Sequence, residues 1–347
     1  MRVIVTGAGG LIGSEAVRFF HKSSLVWGID NDMRSVFFGP QGSVKSTIED
    51  LQKLDGYVHL WSDISDEDQI SSIFKKIRPD IIIHCAAQPS HDKAASIPLL
   101  DFNVNAFGTL NLLEATRKYC RDDAVFIHMS TNKVYGDGPN YLNLVESDLR
   151  YDFLDSEHRE GISENFSIDQ CLHSVFGASK VSADIMAQEY GKYFGMNVGI
   201  FRGGCLTGPQ HAGVELHGFL SYIVKCAVSS KPYVINGYKG KQVRDQIHSS
   251  DVIAAFNCFI ENPHQGEVYN IGGGKENSAS ILEVIDSIED ITGHRLLYDI
   301  SEVNRVGDHI CYYTDLSKFK RHYPSWNITR SLRGIIEEIV ESRGFQK

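Results

Sequence analysis

MRVIVTGAGGLIG, residues 1–13, joins a short apolar run to a cluster of glycines, and the interpretation of the whole fold starts from it. MRVIVTG predicts a buried strand, and GLIGSEAVRFFHKS predicts an amphipathic helix directly after it. The spacing of Gly7, Gly10 and Gly13 allows a tight turn, close approach of the backbone to a pyrophosphate, and a helix N-terminus that faces the phosphates. Glycines also simply end strands, so the motif alone leaves that interpretation open beside a dinucleotide site.

Acidic residues follow the next two predicted strands. LVWGIDND predicts a second strand ending at Asp30, at the spacing where a carboxylate hydrogen-bonds both ribose hydroxyls of a dinucleotide. A carboxylate there would repel a 2′-phosphate, so the sequence favours NAD over NADP. The alternative is a solvated acid at a strand end. VHLWSDISD places Asp63 after a third strand.

Strands and helices continue to alternate along the first half of the chain. PDIIIHCAAQ is a continuous apolar run of the kind that a parallel sheet buries, and AVFIHMST predicts a fifth strand. Helical patterns such as DEDQISSIFKKI and NVNAFGTLNLLEATRKY separate the strands. This alternation predicts an α/β fold with a doubly wound, Rossmann-type parallel sheet, whose ligand lies at the C-terminal ends of the strands.

Composition narrows the class of function. The chain has 347 residues, 42% of them hydrophobic and 22% charged, and its formal charge of −10 argues against a nucleic acid or an anionic membrane as partner. No apolar run of about eighteen residues and no signal-peptide pattern occur, so we expect no membrane span and no secretion. The seven cysteines include no C-x-x-C pair, and their odd number favours reduced thiols in a cytoplasm. No metal site is predicted.

Five motifs in a fixed order carry a resemblance to a known family. HCAAQ, NVNAFGTLNLLEA, STNKVYGD, FGASK and GKQVRDQIHSSDV occur at the spacing typical of the extended short-chain dehydrogenase/reductases. Together they resemble the nucleotide-sugar epimerase branch, and STNKVYGD with GKQVRD most resembles the 2-epimerases of CDP-linked sugars. The resemblance extends over nearly the whole chain.

The resemblance implies two domains. Residues 1–202 would form the NAD-binding Rossmann-type domain, with residues 238–262 returning to it. Residues 203–237 and 263–347 would form a smaller mixed α/β domain that binds the nucleotide sugar.

The resemblance also implies a homodimer, because proteins of this family usually pair through helices equivalent to residues 98–119 and 176–194. The segment between residues 146 and 176 is polar and irregular, and loops of this length in compact domains tend to be functional. We expect this segment to cover the sugar.

The motif FGASK departs from the family pattern. The resemblance implies that a Ser or Thr, a Tyr and a Lys act with nicotinamide: the tyrosinate removes a hydroxyl proton as hydride leaves the same carbon, and the lysine holds the nicotinamide ribose. Thr131 matches the hydroxyl residue and Lys180 matches the lysine, but Phe176 stands where the tyrosine belongs. Taken alone, FGASK could equally be a helix start with a core Phe and a surface Lys. Val175 in place of the usual Pro, and Thr207 in place of the usual Tyr, favour natural divergence over an engineered Tyr-to-Phe change.

Several residues could replace the tyrosine as a base. General acid–base catalysis contributes typically about 10²–10⁴-fold, so the loss of one base need not abolish turnover. Thr131 could relay the proton through water. His173 lies on the same predicted helical face as Phe176 and titrates in a useful range, and His84 and His91 flank the loop CAAQPS. These possibilities stay open at the level of sequence.

The residues after Thr131 bear on the type of reaction. Nucleotide-sugar dehydratases of this superfamily have Asp-Glu at the two positions that Asn132 and Lys133 occupy here, so we do not expect 4,6-dehydration. An epimerase is redox-neutral and keeps its NAD, and the resemblance places the oxidised carbon at C2, as in the pair CDP-paratose and CDP-tyvelose. The alternatives are another nucleotide-sugar epimerase, a decarboxylase or a reductase, or a non-catalytic protein that binds NAD and a nucleotide sugar without a base.

The resemblance assigns the remaining contacts. Arg244 and Arg305 would bind the diphosphate, Asp308 the nucleotide ribose and Gln88 the sugar, while Asn105 would support the site. The predicted substrate contacts also include Thr131, Asn132 and Arg202. The predicted NAD contacts are Gly7, Gly10, Leu11, Ile12, Gly13, Asp30, Asn31, Asp63, Ile64, Ala86, Ala87, Gln88, Asn105 and Lys180.

Overall fold

The structure is a computed structural model and describes residues 1–211, 218–303 and 307–343. In these ranges the strands are β1 Arg2–Thr6, β2 Leu25–Ile29, β3 Tyr57–Leu60, β4 Ile81–His84, β5 Val125–Thr131, β6 Leu144–Glu146, β7 Tyr151–Phe153, β8 Asn197–Gly203, β9 Cys205–Thr207, β10 Tyr233–Asn236, β11 Val243–His248, β12 Glu267–Ile271, β13 Ser278–Ser280, β14 Tyr298–Ser301 and β15 Cys311–Tyr312. The α-helices are α1 Leu11–Phe20, α2 Met33–Phe38, α3 Lys45–Leu51, α4 Glu67–Ile77, α5 His91–Ala94, α6 Pro98–Phe102, α7 Gly108–Tyr119, α8 Ser174–Lys192, α9 Phe219–Val228, α10 Ser249–Glu261, α11 Ile281–Thr292, α12 Ser317–His322 and α13 Leu332–Ser342. No helix in these ranges combines the length and the apolar character needed to cross a bilayer.

The chain divides into two compact units. Unit 1 comprises residues 1–134, 175–202 and 252–269, and unit 2 comprises residues 135–174, 203–251 and 270–347.

The main sheet of unit 1 confirms the predicted doubly wound α/β fold. Its strands lie in the order β12, β8, β5, β4, β1, β2, β3, and the neighbouring pairs from β5 through to β3 are parallel. The four residues of β4, Ile81–His84, are all buried, as expected of a central strand with helices on both faces. From β1 the chain continues to β2 on one side in the sheet, and from β4 it continues to β5 on the other side. The loops that follow these two adjacent strands therefore diverge. A crevice at such a reversal of strand order is where doubly wound sheets bind their ligands.

Unit 2 is built around β11, which pairs with β13 in antiparallel and with β9 and β15 in parallel orientation. The helices α9, α11 and α13 bury one apolar cluster that includes Ile223, Ile288 and Ile339. A capping box between Ser280 and Glu283 satisfies backbone donors at the start of α11. This cluster gives unit 2 a hydrophobic core of its own.

The division differs from the predicted domains in two segments. Residues 135–174 belong to unit 2, since the Tyr151 amide donates to the Lys241 carbonyl at 3.1 Å and the Ile162 amide donates to the Tyr313 carbonyl at 2.8 Å. The segment that returns to unit 1 is 252–269 and not 238–262, because β11 forms its ladders inside unit 2. Part of the segment predicted as an irregular insertion forms the hairpin of β6 and β7.

Candidate active site

The glycine turn after β1 closes as the spacing predicts. Gly7 has φ +66°, a left-handed conformation that favours glycine, and its amide donates to the Ile29 carbonyl at 2.8 Å. A Cβ at Gly7 would lie 2.8 Å from the Ala86 amide nitrogen, so the loops after β1 and β4 touch here. Gly10 is the N-cap of α1, and a Cβ at Gly13 would collide with the Gly7 carbonyl oxygen. The glycines therefore leave positions 7, 10 and 13 without side chains beside the start of α1, as an anion-binding turn requires.

Asp30 lies at the end of β2 beside this turn. Its carboxylate accepts hydrogen bonds from the Gly9 and Asp32 amides, both at 2.9 Å. Burial raises the pKa of Asp30, and these two backbone bonds act against that rise. A carboxylate can accept about four hydrogen bonds, so acceptor sites remain for a diol.

Two more of the predicted cofactor residues come together at the end of β3. The Asn31 side chain donates to one Asp63 carboxylate oxygen at 3.1 Å, and the other Asp63 oxygen accepts from the Ser65 backbone amide and hydroxyl at 2.8 and 2.6 Å. The neighbouring Ile64 is buried against Gly108, where a Cβ would lie 2.7 Å from the Ile64 Cδ1. The ends of β2 and β3 thus present a polar pair beside an apolar wall.

Lys180 is buried near the end of β5, with only 3% of the residue exposed. Its ammonium donates to the Met129 carbonyl at 2.9 Å. Burial lowers the pKa of Lys180 to about 8, and Asp184 acts in the opposite direction. Thr131, the last residue of β5, lies two positions beyond Met129, and its hydroxyl oxygen accepts from the Lys133 amide at 3.2 Å.

Phe176 lies in the first turn of α8 and is 8% exposed. Its ring packs against the imidazole of His91, with 6.3 Å between the ring centres and an interplanar angle of 58°. His91 is the first residue of α5, at the end of the loop that follows β4.

The predicted sugar contact, Gln88, is instead part of a buried network. The Gln88 side chain donates to the Ser90 carbonyl at 2.8 Å and to Asp101 at 2.7 Å, and its oxygen accepts from the Ser90 amide at 2.6 Å. Its residue has no exposed surface. Both ends of the amide are therefore used inside unit 1, and this arrangement does not support a direct contact between Gln88 and a sugar.

Asn105 completes the same network from a π-helical turn, Asn103–Phe107. It accepts from the Gln88 amide at 2.8 Å and donates to Asp101 and to the Ser179 hydroxyl, both at 3.1 Å. Ser179 in turn donates to Asp101 at 2.6 Å and lies 3.0 Å from the Phe176 carbonyl oxygen. The network joins the loop after β4 to α8.

Arg202 was expected among the substrate contacts but forms a buried ion pair. Its guanidinium donates to both oxygens of Asp184, at 3.0 and 2.8 Å, and the same carboxylate accepts from the Ser130 hydroxyl at 2.6 Å. Arg202 therefore ties β8 to α8 and β5, because its bidentate geometry is satisfied inside unit 1. Asn132 is also buried, with its side-chain oxygen 3.5 Å from the Thr131 hydroxyl.

His84, one of the candidate bases, is a core residue. Its two ring nitrogens lie 2.7 Å from the Thr6 hydroxyl and 2.9 Å from the Thr109 hydroxyl. Burial, together with the positive charge of Lys180, lowers the pKa of His84 to about 3. His128 lies beside it, with 5.3 Å between ring centres, and burial lowers its pKa as well.

Two predicted substrate residues meet in unit 2. The Arg244 guanidinium donates to Asp308 at 2.6 Å and also contacts the His309 carbonyl. The Asn140 side chain donates to the Asp308 carbonyl at 2.8 Å and accepts from the Ile310 amide at 2.7 Å, which fixes this loop. Arg305, the third predicted residue, lies outside the described residues.

Sequence reasoning missed the partners that bury these polar groups. Asp101 and Asn105 are four residues apart, a spacing that predicts a contact on one face of a helix. Ser179 lies inside FGASK, and no spacing in the sequence predicts its contact with these two residues. Among the described residues, no cluster of His, Cys, Asp or Glu of the size that a metal ion needs is found.

The family follows from a match over most of the chain. The model of the NAD dependent epimerase/dehydratase family matches residues 3–272. The chain belongs to this family. Its members use NAD, which supplies a hydride acceptor when bound, and the glycine turn and Asp30 provide the open helix N-terminus and the carboxylate that such a dinucleotide requires.

Several named proteins resemble the chain along most of its length. It is 32% identical over 299 residues to a CDP-paratose 2-epimerase of Salmonella typhi, covering 84% of each chain. It is 27% identical over 353 residues to a dTDP-glucose 4,6-dehydratase of Salmonella typhimurium, covering 98% of this chain and 92% of the relative. The solved UDP-glucuronic acid 4-epimerase of Bacillus cereus, in complex with UDP-glucuronic acid and NAD, superposes with a TM-score of 0.79 at 26% identity, covering 99% and 98% of the two chains.

Proposed function

We propose that the protein is an NAD-dependent epimerase that inverts C2 of a CDP-linked sugar, interconverting CDP-paratose and CDP-tyvelose or a related pair through a 2-keto intermediate. The observation that carries the proposal is the 32% identity, over 84% of both chains, to a protein named CDP-paratose 2-epimerase. The dTDP-glucose dehydratases cover more of the chain at lower identity.

The residues after β5 favour epimerisation over dehydration. Elimination of water needs an acid that protonates the leaving hydroxyl. The dehydratases of the superfamily that this chain resembles have Asp-Glu directly after the hydroxyl residue. Asn132 and Lys133 occupy these two positions here, and neither side chain is a carboxylic acid.

The described geometry supports the following roles within unit 1. Asp30 would bind the ribose hydroxyls of NAD, because its carboxylate is fixed by two amides and keeps free acceptor sites. Asn31, Asp63 and Ile64 would surround the adenine. Lys180 would hold the nicotinamide ribose from below β5, and Thr131 would bind the reacting hydroxyl.

In unit 2, we assign the phosphate and ribose of the nucleotide to Arg244 and Asp308. Arg244 and Asp308 form an ion pair, which holds the guanidinium in one orientation for phosphate oxygens. Arg305 belongs to this assignment by resemblance alone.

The test is direct observation of the inverted carbon. The protein with NAD and CDP-paratose is followed by proton NMR, in which CDP-tyvelose gives a distinct H2 signal. In D₂O the product should retain protium at C2, because a redox path returns the same hydrogen, whereas simple deprotonation at C2 would exchange it.

Other outcomes would point elsewhere. Conversion of dTDP-glucose to its 4-keto-6-deoxy product, without inversion of CDP-paratose, would contradict the proposal in favour of a dehydratase. Tight binding of NAD and CDP-paratose without any product would indicate a binding protein. The variant Phe176→Tyr, assayed in parallel, separates an enzyme that lacks only its phenol from one that acts on another substrate.

We also propose that the protein forms a homodimer through helices near α6, α7 and α8. Leu99 of α6 is 86% exposed, and Phe102 of α6, Phe107 of the π-helical turn before α7 and Ile185 of α8 are exposed as well, so this part of unit 1 offers several large apolar side chains to a second copy of the chain. Leu99→Glu should yield a monomer in light scattering, whereas the control Val36→Glu, at an exposed apolar residue of α2, should leave the mass unchanged. Equal masses for both variants and the wild type would refute this face.

A further inference from the structure

The contact between His91 and Phe176 places a titratable ring beside the position of the missing tyrosine. The ring centres are 6.3 Å apart, and both residues belong to unit 1. Phe176 occupies the first turn of α8, from which a phenol would extend its oxygen, and His91 begins α5. Imidazole accepts and releases protons near neutral pH, which phenylalanine cannot do.

The network of Gln88, Asp101, Asn105 and Ser179 fixes these two rings relative to one another. Both backbone groups of Ser90, the residue before His91, are bonded to the Gln88 side chain at 2.6 and 2.8 Å. Asp101 then joins Gln88 to Ser179, at 2.7 and 2.6 Å, three residues beyond Phe176 in α8.

All four residues of this network are at most 1% exposed. Hydrogen bonds of this kind, in a buried setting, hold their partners in one geometry. The arrangement is what a proton-transferring residue needs from its surroundings, since its side chain has to be held in place.

The other histidines considered from the sequence are placed differently. Both nitrogens of His84 face hydroxyl groups in the core, and its low pKa keeps it neutral. His173 belongs to unit 2, where its ring nitrogens lie 3.6 and 3.8 Å from the Cys171 sulfur. Among these three histidines, His91 is the one that packs on Phe176.

We propose that His91 is the catalytic base and acid of the reaction, in place of the tyrosine. The inference rests on the proposed function. An imidazole nitrogen of His91 would accept the proton as the O–H bond of the C2 hydroxyl breaks and its electron pair forms the C=O bond. NAD⁺, when bound, would supply the acceptor for the C2 hydrogen, which leaves as hydride. The reverse events on the other face of the keto sugar restore the imidazole and the cofactor.

The first experiment measures turnover of CDP-paratose by four proteins: the wild type, His91→Asn, His91→Asn with Phe176→Tyr, and the control His21→Asn at the C-terminal end of α1. His91→Asn should lower kcat by about 10²-fold or more, with unchanged KM and Tm. Phe176→Tyr in that background should recover about tenfold or more, because it returns a proton-accepting group to the same place. The control should match the wild type.

Two results would overturn the assignment. One is a kcat for His91→Asn within about threefold of the wild type. The other is a loss of turnover that Phe176→Tyr does not recover, because a side chain with a structural role alone would behave in this way.

The second experiment does not depend on substrate or NAD. Phe176→Tyr introduces one phenol, whose Cζ resonance is recognised in carbon-13 tyrosine-labelled protein by its absence from the wild type. The phenol pKa should change when His91→Asn is added, since an adjacent imidazole interacts with the phenolate. An unchanged pKa would show that His91 does not face this position and would overturn the inference. If the wild type fails to invert CDP-paratose, the proposed function is wrong, and this titration still decides the placement of His91.

Discussion

The buried charge of Lys180 should lower the free energy of unfolding at every pH at which this lysine is protonated. Its pKa falls from 10.5 to about 8 because the residue is buried, and the difference corresponds to about 3 kcal/mol at about 1.4 kcal/mol per pKa unit. Between pH 8 and 10.5 the unfolded chain binds more protons at this residue than the folded chain, so stability rises with pH in this window. Below pH 8 the full cost is present.

The variant Lys180→Met should therefore be more stable than the wild type at pH 7. Methionine has a similar length and no charge, but it leaves the Met129 carbonyl without the lysine donor, at a cost of about 1–2 kcal/mol. We expect a net gain of about 1–2 kcal/mol at pH 7, and a loss of this gain as the pH rises to 10.5. Turnover should fall, because the proposed contact with the nicotinamide ribose is lost.

The assay is urea unfolding of NAD-free protein at a series of pH values from 7 to 10.5. The matched control is Lys192→Met, at an exposed lysine in the last turn of the same helix. The free energy of unfolding of this control should differ from that of the wild type by the same amount at every pH. A difference between Lys180→Met and the wild type that stays constant over this range would refute the reasoning, because it would mean that the lysine titrates alike in both states.

Three further predictions concern the turn, the buried ion pair and the acid after β2. Gly7→Ala should lower the free energy of unfolding by about 1–3 kcal/mol, because φ is +66° and the new Cβ would press on Ala86, and a thermal shift below about 1 °C would contradict this. Arg202→Met should destabilise by about 3–5 kcal/mol in urea, because Asp184 would stay buried without its partner; the double variant with Asp184→Leu should recover part of this loss. Asp30→Ala should weaken NAD and strengthen NADP binding in calorimetry, and an unchanged ratio of the two dissociation constants would exclude Asp30 as the ribose contact.

The fold was predictable from local patterns. The strands of the first half are continuous apolar runs, and the glycines after β1 have a spacing that few other turns require, so each element could be assigned without knowledge of its partners. The resemblance then supplied the family, which the match over residues 3–272 confirms.

The roles of individual polar side chains were less predictable. Gln88 and Arg202 both lie near strand ends, where ligands bind, yet each is satisfied inside unit 1 by a carboxylate 13 and 18 residues away in the sequence. The direction in which a side chain points at such a position depends on its tertiary partners, and the hydrophobic periodicity of the sequence does not identify them. The assignment of residues 135–174 to unit 2 has the same origin, since it depends on hydrogen bonds to residues 90 or more positions later.

The buried network of Gln88, Asp101, Asn105 and Ser179 has a consequence for genetic screens. Substitution of any one member would leave a polar group unpaired in the interior, and the protein would be cleared by proteases or would lose the alignment of its loop and helix. A screen for lost activity would rank these four residues with Lys180, although none of them need meet a ligand. Measuring the amount of protein in each mutant strain would separate the two groups, and only variants that accumulate normally would report on the chemistry.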